Sequence, residues 1–283
     1  MPLDHHRLSL RQRELVERWL PGARLLRDHS WGLVGTTVLE VAHDDERLVV
    51  KAGDDADHHL AREITAHEQW LGPWVAAGRA PELVRADRTA KLLVTRWLPG
   101  DLALATPAAA DPATYRQAGE LLAALHAQEP VLDDEYEHRE NARLLRWLDS
   151  PHRVDDEVVE HIRAVVASWP TPPARLVPTH GDWQPRNWLV DGGVVRIIDF
   201  GRAALRPAMV DLARLAAQEF GRDPALEHAF LDGYGADPRE PTAWARVRLR
   251  EAVGTAAWAF QVGDEAFEAQ GHRMIAEALA TTA

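Results

Sequence analysis

The chain of 283 residues contains no cysteine. That excludes disulfides, thiolate metal sites and a cysteine nucleophile, and it is compatible with a cytoplasmic location. A basic excess is also missing: 32 Lys and Arg stand against 44 Asp and Glu, a net charge of −12. Nucleic-acid binders carry a basic surplus to neutralise phosphates, so that class of partner is not expected. No apolar run approaches membrane-spanning length, so no membrane partner is expected either. Met1 to Arg13 is charged and lacks an apolar core, which argues against a signal peptide. Tyrosine (3) and phenylalanine (5) are scarce beside 11 tryptophans, most of which are expected in the core and some in a pocket. There is no internal repeat and no low-complexity tail.

What remains is ordinary for a globular protein: 46% hydrophobic and 27% charged residues, in a chain long enough for two lobes with proper cores. Leu8–Leu20 has helical spacing and stops at Pro21-Gly22. Strands are expected at 23–28, from Val38, at Arg47–Ala52, and at 81–87 and 91–95, with a helix from His58 to about Ala77 between them. After Pro99-Gly100 strand patterns give way to helical ones at 112–128, 133–148 and 154–169. The helix ending at His126 is apolar through its length and reads as central and buried, with a structural histidine at its end.

The most informative stretch is Thr179 to Arg202, T-H-G-D-W-Q-P-R-N-W-L-V-D-G-G-V-V-R-I-I-D-F-G-R. Pro185 blocks a regular helix, so Asp182 to Asn187 reads as a loop. Trp188–Val190, Asp191-Gly192-Gly193 and Val194–Ile198 read as a hairpin with a tight turn. Such a hairpin returns Asp199 to the side of Asn187, as two ligands of one magnesium ion require. Phosphoryl transfer needs one carboxylate to accept the proton of an attacking hydroxyl. It also needs an amide oxygen and a second carboxylate to hold Mg²⁺ on nucleotide phosphates. Asp182, Asn187 and Asp199 suit these roles in that order.

His180-Gly181-Asp182 followed by Asn187, with Asp199-Phe200-Gly201 downstream, resembles the aminoglycoside phosphotransferase family of small-molecule kinases. The resemblance covers nearly the whole chain, although only Thr179–Arg202 is specific. It implies a bilobal, protein-kinase-like α+β fold. Residues 1–95 would form an N-lobe with an antiparallel sheet and one key helix, 96–100 an interlobe linker, and 101–283 a helical C-lobe with the catalytic loop and substrate site. It implies ATP or GTP as phosphate donor, with Mg²⁺. Lys51, ending the strand Arg47–Ala52, resembles the lysine that contacts the α- and β-phosphates. Glu63 and Glu68 both qualify as its partner, and Glu63 fits the family pattern better. Gly32 and Gly35 fall where a phosphate-covering loop belongs, in a pattern poorer than G-x-G-x-x-G. Arg96, Trp97 and Leu98 occupy the linker whose main chain binds the nucleobase edge. Asp211 resembles an acid that supports the catalytic loop. Trp183 and Trp188 depart from the smaller or different residues of many relatives.

The acceptor is left open. The acidic balance is consistent with a cationic substrate such as an aminoglycoside or another amine-rich antibiotic. A metabolic acceptor (amino alcohol, sugar or homoserine) is the alternative, and a nucleotide-binding pseudoenzyme is disfavoured by the full set Lys51, Asp182, Asn187 and Asp199. Acids from 129–149 and from the last helical region, among them Asp232, Glu251, Asp264, Glu265 and Glu268, are candidates for substrate amines.

Overall fold

The computed structural model describes residues 5–30 and 35–280. The chain divides into two compact units: Met1–Gln128 with His180–Ala204 and Ala229–Gly235, and Glu129–Thr179 with Leu205–His228 and Ala236–Ala283.

In the first unit, helix α1 (Leu10–Trp19) starts on a capping box: Gln12 N–H donates to Ser9 Oγ and Ser9 N–H to Gln12 Oε1. Gln12 Nε2 then donates to the carbonyls of Gly53 (2.9 Å) and Ala90 (2.8 Å), fixing the helix to the sheet. The sheet is antiparallel. It consists of β1 (Arg24–Asp28), β2 (Thr36–His43), β3 (Glu46–Gly53), β4 (Leu83–Asp87) and β5 (Leu92–Arg96), in the order β1-β2-β3-β5-β4. Alternation sorts its two faces. Leu39, Val41, Leu48, Val50, Ala52, Leu92 and Val94 join Leu8, Val16 and Leu20 in one core cluster. The opposite face carries Lys51, directly paired with Leu93 on β5.

Against Leu93 pack Leu60 and Ile64 of α2 (Leu60–Gln69), one helical turn apart with Glu63 between them. Asp57 caps this helix, accepting from the N–H groups of His59 (3.0 Å) and Leu60 (2.9 Å). The helix expected to run to Ala77 ends instead at Gln69, and α3 (Gly72–Ala76) follows separately. Gly72-Pro73 explains the break, because a proline ring cannot sit in a helix interior without losing a backbone hydrogen bond.

The pair of strands Trp188–Asp191 and Val194–Ile197 forms the expected hairpin, with Val194 opposite Asp191 and Ile197 opposite Trp188. Gly192 and Gly193 both have positive φ (56° and 79°), the backbone a two-residue turn of this type requires. Arg79 Nη1 donates to the Val195 carbonyl (2.7 Å) and Gln117 Nε2 to the Gly193 carbonyl (2.7 Å), so the hairpin is held from two other elements. β6 (Asp101–Leu102) adds a third strand to it. Gln117 lies on α4 (Pro112–His126), and a Cβ on its Gly119 would come within 2.1 Å of the Phe230 carbonyl. His126 ends this helix buried, its Nδ1 2.8 Å from the Tyr234 hydroxyl, a contact that fixes the helix end.

The second unit is mainly helical around the helices Tyr136–Asp149, Asp156–Ala167, Pro241–Val262 and Glu265–Ala280, whose core includes Leu144, Ile162, Leu249, Val253 and Ile275. Within it Glu137 accepts from Arg246 Nε (3.0 Å) and Arg250 Nη2 (2.7 Å), tying the first of these helices to the third. Among the described residues no helix is long and apolar enough to cross a membrane.

Candidate active site

Lys51, Glu63, Asp182, Asn187 and Asp199, the residues expected to carry the chemistry, lie in the first unit. β3 aims Lys51 at the α2 side of the sheet, and Lys51 Nζ sits 2.7 Å from Glu63 Oε1 and 3.6 Å from Asp199 Oδ1. The side chains of Lys51 and Glu63 are 16% and 5% exposed, whereas that of Asp199 is 53% exposed. Burial acts to lower Lys51, but the two carboxylates outweigh it and hold the ammonium above the ordinary lysine value. Burial likewise acts to raise Asp199, and the Lys51 ammonium and a hydrogen bond from the Gly201 N–H hold it below the ordinary aspartate value. Of the two glutamates that qualified as Lys51's partner, the structure pairs Glu63 with it. Glu68 points elsewhere, to Arg88 Nη2 at 2.5 Å.

Asp199 has φ 66°, a left-handed conformation that a non-glycine residue adopts only when its surroundings impose it. The hairpin supplies that constraint. Ile198 N–H donates to the Asn187 carbonyl (3.0 Å), and the Ile198 carbonyl lies 3.1 Å from His180 Nε2. The other ring nitrogen of His180 accepts from the Asp182 N–H (3.2 Å). One fully buried imidazole therefore ties the loop of Asp182 to the strand that delivers Asp199. His59 Nδ1 meets the Gly201 carbonyl at 3.0 Å on the other side. Phe200 packs on His180, Trp74 and His67. Burial holds His67 down to about 3, so it faces Phe200 as a neutral ring.

Asp182 is buried, and three side chains of its own loop surround its carboxylate. Gln184 Nε2 donates to Oδ1. Arg186 Nη2 (2.6 Å) and Asn187 Nδ2 (3.1 Å) donate to Oδ2. The loop closes in a single 3₁₀ turn, Pro185–Asn187. Asn187 Nδ2 also donates to the Asp182 carbonyl at 2.8 Å. With its amide nitrogen so engaged, Asn187 is left to offer its oxygen. That oxygen and the Asp199 carboxylate are hard-oxygen donors of the kind Mg²⁺ takes. Among the described residues there is no group of three or more His, Cys, Asp or Glu able to hold a metal. Two protein oxygens suit an ion that completes its shell with phosphate oxygens and water.

Arg96, Trp97 and Leu98, expected to form a linker, divide. The N–H of Arg96 donates to the Glu82 carbonyl (2.9 Å) and that of Trp97 to the Arg47 carbonyl (3.0 Å), while the N–H of Leu98 has no partner among the described residues. The side chain of Arg96 pairs with Glu46 and Glu82, and Arg47 lies over the Trp97 ring. Gly35 precedes β2 and accepts from the Asp54 N–H at 3.2 Å; a Cβ there would overlap the Asp54 carboxylate unless that side chain swung away. Gly32 lies outside the described residues. Asp211 is buried in the second unit. Several acids considered for substrate amines are already paired: Asp232 with Arg116 (3.0 Å), Glu251 with Arg214 (3.0 Å) and Glu268 with Arg153 (3.3 Å). Glu251 and Trp244 line a pocket of about 230 Å³ in the second unit. Gln184, Arg186 and His59 were not anticipated as site residues. Gln184 and Arg186 had a signal, since polar and basic side chains fall inside the very loop that carries Asp182.

Solved structures show the fold. A thermostable mutant of aminoglycoside phosphotransferase APH(4)-Ia, in ternary complex with ADP and hygromycin B, is 14% identical, with TM-score 0.71 over 96% of this chain and 98% of that one. The GDP complex of aminoglycoside 2'-phosphotransferase-IIIa is 14% identical, with TM-score 0.65 over 97% and 99%. A choline/ethanolamine kinase family protein from Mesorhizobium loti is 20% identical, with TM-score 0.61 over 94% and 90%. The fold is thus the protein-kinase-like α+β fold of small-molecule kinases. The model of the phosphotransferase enzyme family (APH) matches residues 29–250, and the chain belongs to that family. It is a phosphotransferase with an alcohol group as acceptor. No curated protein matches it by sequence.

Proposed function

We propose that the protein transfers the γ-phosphoryl group of ATP or GTP to a hydroxyl of a small, amine-bearing molecule, an aminoglycoside or another amine-rich antibiotic. The observation that carries the reading is the Lys51–Glu63–Asp199 constellation in one unit with Asp182 and Asn187. On this reading residues 1–95 are the nucleotide-binding lobe, 96–100 the linker and 101–283 the lobe that receives the acceptor. Lys51, fixed by Glu63, holds the α- and β-phosphates, and Gly35, just ahead of β2, borders them. Of Arg96, Trp97 and Leu98, the last has the N–H left to offer to the base. Asn187 and Asp199 hold Mg²⁺, which when bound neutralises phosphate charge. Asp182 orients the acceptor hydroxyl and takes its proton as the oxygen–phosphorus bond forms.

Glu63→Gln is expected to weaken Mg-nucleotide binding by about tenfold, because it removes the charge that fixes Lys51. Glu68→Gln, on the exposed side of the same helix, should stay within about twofold. Calorimetric titration of both variants checks this, and equal effects would separate Glu63 from nucleotide binding.

A cationic acceptor is favoured by the net charge of −12 and by the relatives named for aminoglycosides and for choline or ethanolamine. The second of these makes a metabolic amino alcohol the competing reading. A coupled assay of ADP and GDP release decides between them, across hygromycin B and other aminoglycosides, macrolides, choline, ethanolamine, homoserine and amino sugars. An antibiotic turned over at kcat/KM of about 10⁴ M⁻¹s⁻¹ or better supports the first reading. The same efficiency with choline or ethanolamine alone replaces it with the second.

A further inference from the structure

Arg186 is a half-exposed side chain against the buried Asp182. Its side chain is 43% exposed where that of Asp182 is 5% exposed, and its Nη2 lies 2.6 Å from Asp182 Oδ2. It comes from the 3₁₀ turn Pro185–Asn187, whose first residue has a fixed φ and whose last is anchored through its side chain to Asp182. The guanidinium is therefore delivered from a short, constrained segment. Only one of its N–H groups is engaged among the described residues, the one on Asp182. A guanidinium is a planar fork of five donors matched to carboxylate and phosphate oxygens. The half-exposed side chain leaves its other donors available beside Asp182.

We infer that Arg186 is a further functional residue of the transfer step. One N–H holds the Asp182 carboxylate in place, and the remaining donors meet the phosphoryl group as it passes to the acceptor. This rests on the assignment of Asp182 as the base. In the step the acceptor oxygen bonds to the γ-phosphorus as its proton passes to Asp182. The bond from that phosphorus to the β–γ bridging oxygen breaks, and its electron pair leaves with the nucleoside diphosphate. The phosphoryl oxygens carry the charge throughout, and a fixed cation beside the entering oxygen stabilises that arrangement without reorganising. Two further cations of this unit lie elsewhere: Lys51 is engaged by Glu63 and Asp199, and Arg79 is bound to the hairpin. Arg186 contacts the base itself.

The test compares wild type, Arg186→Ala, Arg186→Lys and Asp182→Asn. Mg-ATP binding is measured by calorimetry. Phosphate transfer is measured to whichever acceptor the panel identifies, and to water as release of inorganic phosphate. Arg186→Ala is expected to lower kcat by about 100-fold, the scale of losing one fixed charge-stabilising donor, with nucleotide affinity unchanged within about threefold. Arg186→Lys should recover part of the rate, and so should millimolar guanidinium added to Arg186→Ala; a purely structural arginine would respond to neither. Turnover of Arg186→Ala within about twofold of wild type overturns the inference. So does a rate loss that follows lost nucleotide affinity, or one restored by neither lysine nor guanidinium. If Asp182→Asn is inactive while Arg186→Ala is active, only Arg186 loses its role. If Asp182→Asn keeps its rate, or wild type transfers phosphate to nothing including water, the function proposed above fails and this inference with it.

Discussion

Asp182→Asn is expected to lower kcat by about 10²–10⁴-fold, the range a positioned general base contributes, while Mg-nucleotide binding is kept or slightly strengthened. The sign of the binding effect follows from charge. Asp182 and Asp199 are two carboxylates near enough for Asp182 to push Asp199 upward, against the pull of Lys51. Nucleotide phosphates would add negative charge to the same place, so neutralising Asp182 relieves repulsion there. Lys51, Glu63, Asn187 and Asp199 keep their side chains in the variant. The fold is expected to hold as well, because asparagine is isosteric and can still accept from Arg186 and Asn187. Single-turnover phosphate transfer and a calorimetric titration on the same preparation separate the two effects. Near-normal turnover would remove Asp182 from the role of base, and lost nucleotide binding would make it a ligand of the nucleotide complex instead.

How much of this was legible beforehand depended on whether a residue's task is local. Asp182, Asn187 and Asp199 were readable because a proline loop and a Gly-Gly hairpin set their relation within about twenty residues of sequence. The hairpin register bears this out, with Ile198 donating to the Asn187 carbonyl. Glu63 could be ranked above Glu68 but not chosen. The choice depends on which face of α2 meets the sheet, and that is set by Leu60, Ile64 and Leu93 across a long-range contact. The helix drawn through Gly72-Pro73 was a local error, since apolar spacing continued past a breaker. Residues 96–98 show the opposite limit. Arg96, Trp97 and Leu98 look alike as main chain, and only the partners across the sheet, the carbonyls of Glu82 and Arg47, show that two of their N–H groups are already engaged. The helical-region acids were ambiguous for the same reason: whether Glu251 or Glu268 is a solvated charge or half of an ion pair depends on arginines far away in the chain.

Trp183→Ala is expected to destabilise the protein by about 3–5 kcal/mol, the cost of emptying the site of a large buried aromatic. That is a large share of the roughly 5–15 kcal/mol that holds a domain folded. Trp183 is fully buried beside Asp182. Its ring centroid lies 5.7 Å from Trp74, 5.7 Å from Trp188 and 5.4 Å from His180. Trp188 in turn meets Tyr115 edge-on at 5.3 Å. Trp183 and Trp188 thus form an aromatic floor beside the Asp182 loop, and they carry weight there through packing. Neither indole N–H has a hydrogen-bond partner among the described residues, although Trp74 donates its own to the Leu121 carbonyl at 3.0 Å. An orphaned buried donor is itself unfavourable by about 1–3 kcal/mol. Trp183→Phe removes that donor while leaving a smaller void, and the two effects offset, so this variant should stay within about 1 kcal/mol of wild type. Urea unfolding followed by circular dichroism measures both variants, with the midpoint shift read at constant slope. A Trp183→Ala cost below about 1 kcal/mol would mean that the loop is held by His180 and the Asp182 clamp without the aromatic floor. A Trp183→Phe cost as large as that of alanine would mean that the indole N–H is satisfied in solution after all. The expected pattern, alanine costly and phenylalanine nearly silent, assigns the rigidity of the Asp182 loop to the volume of the ring beneath it.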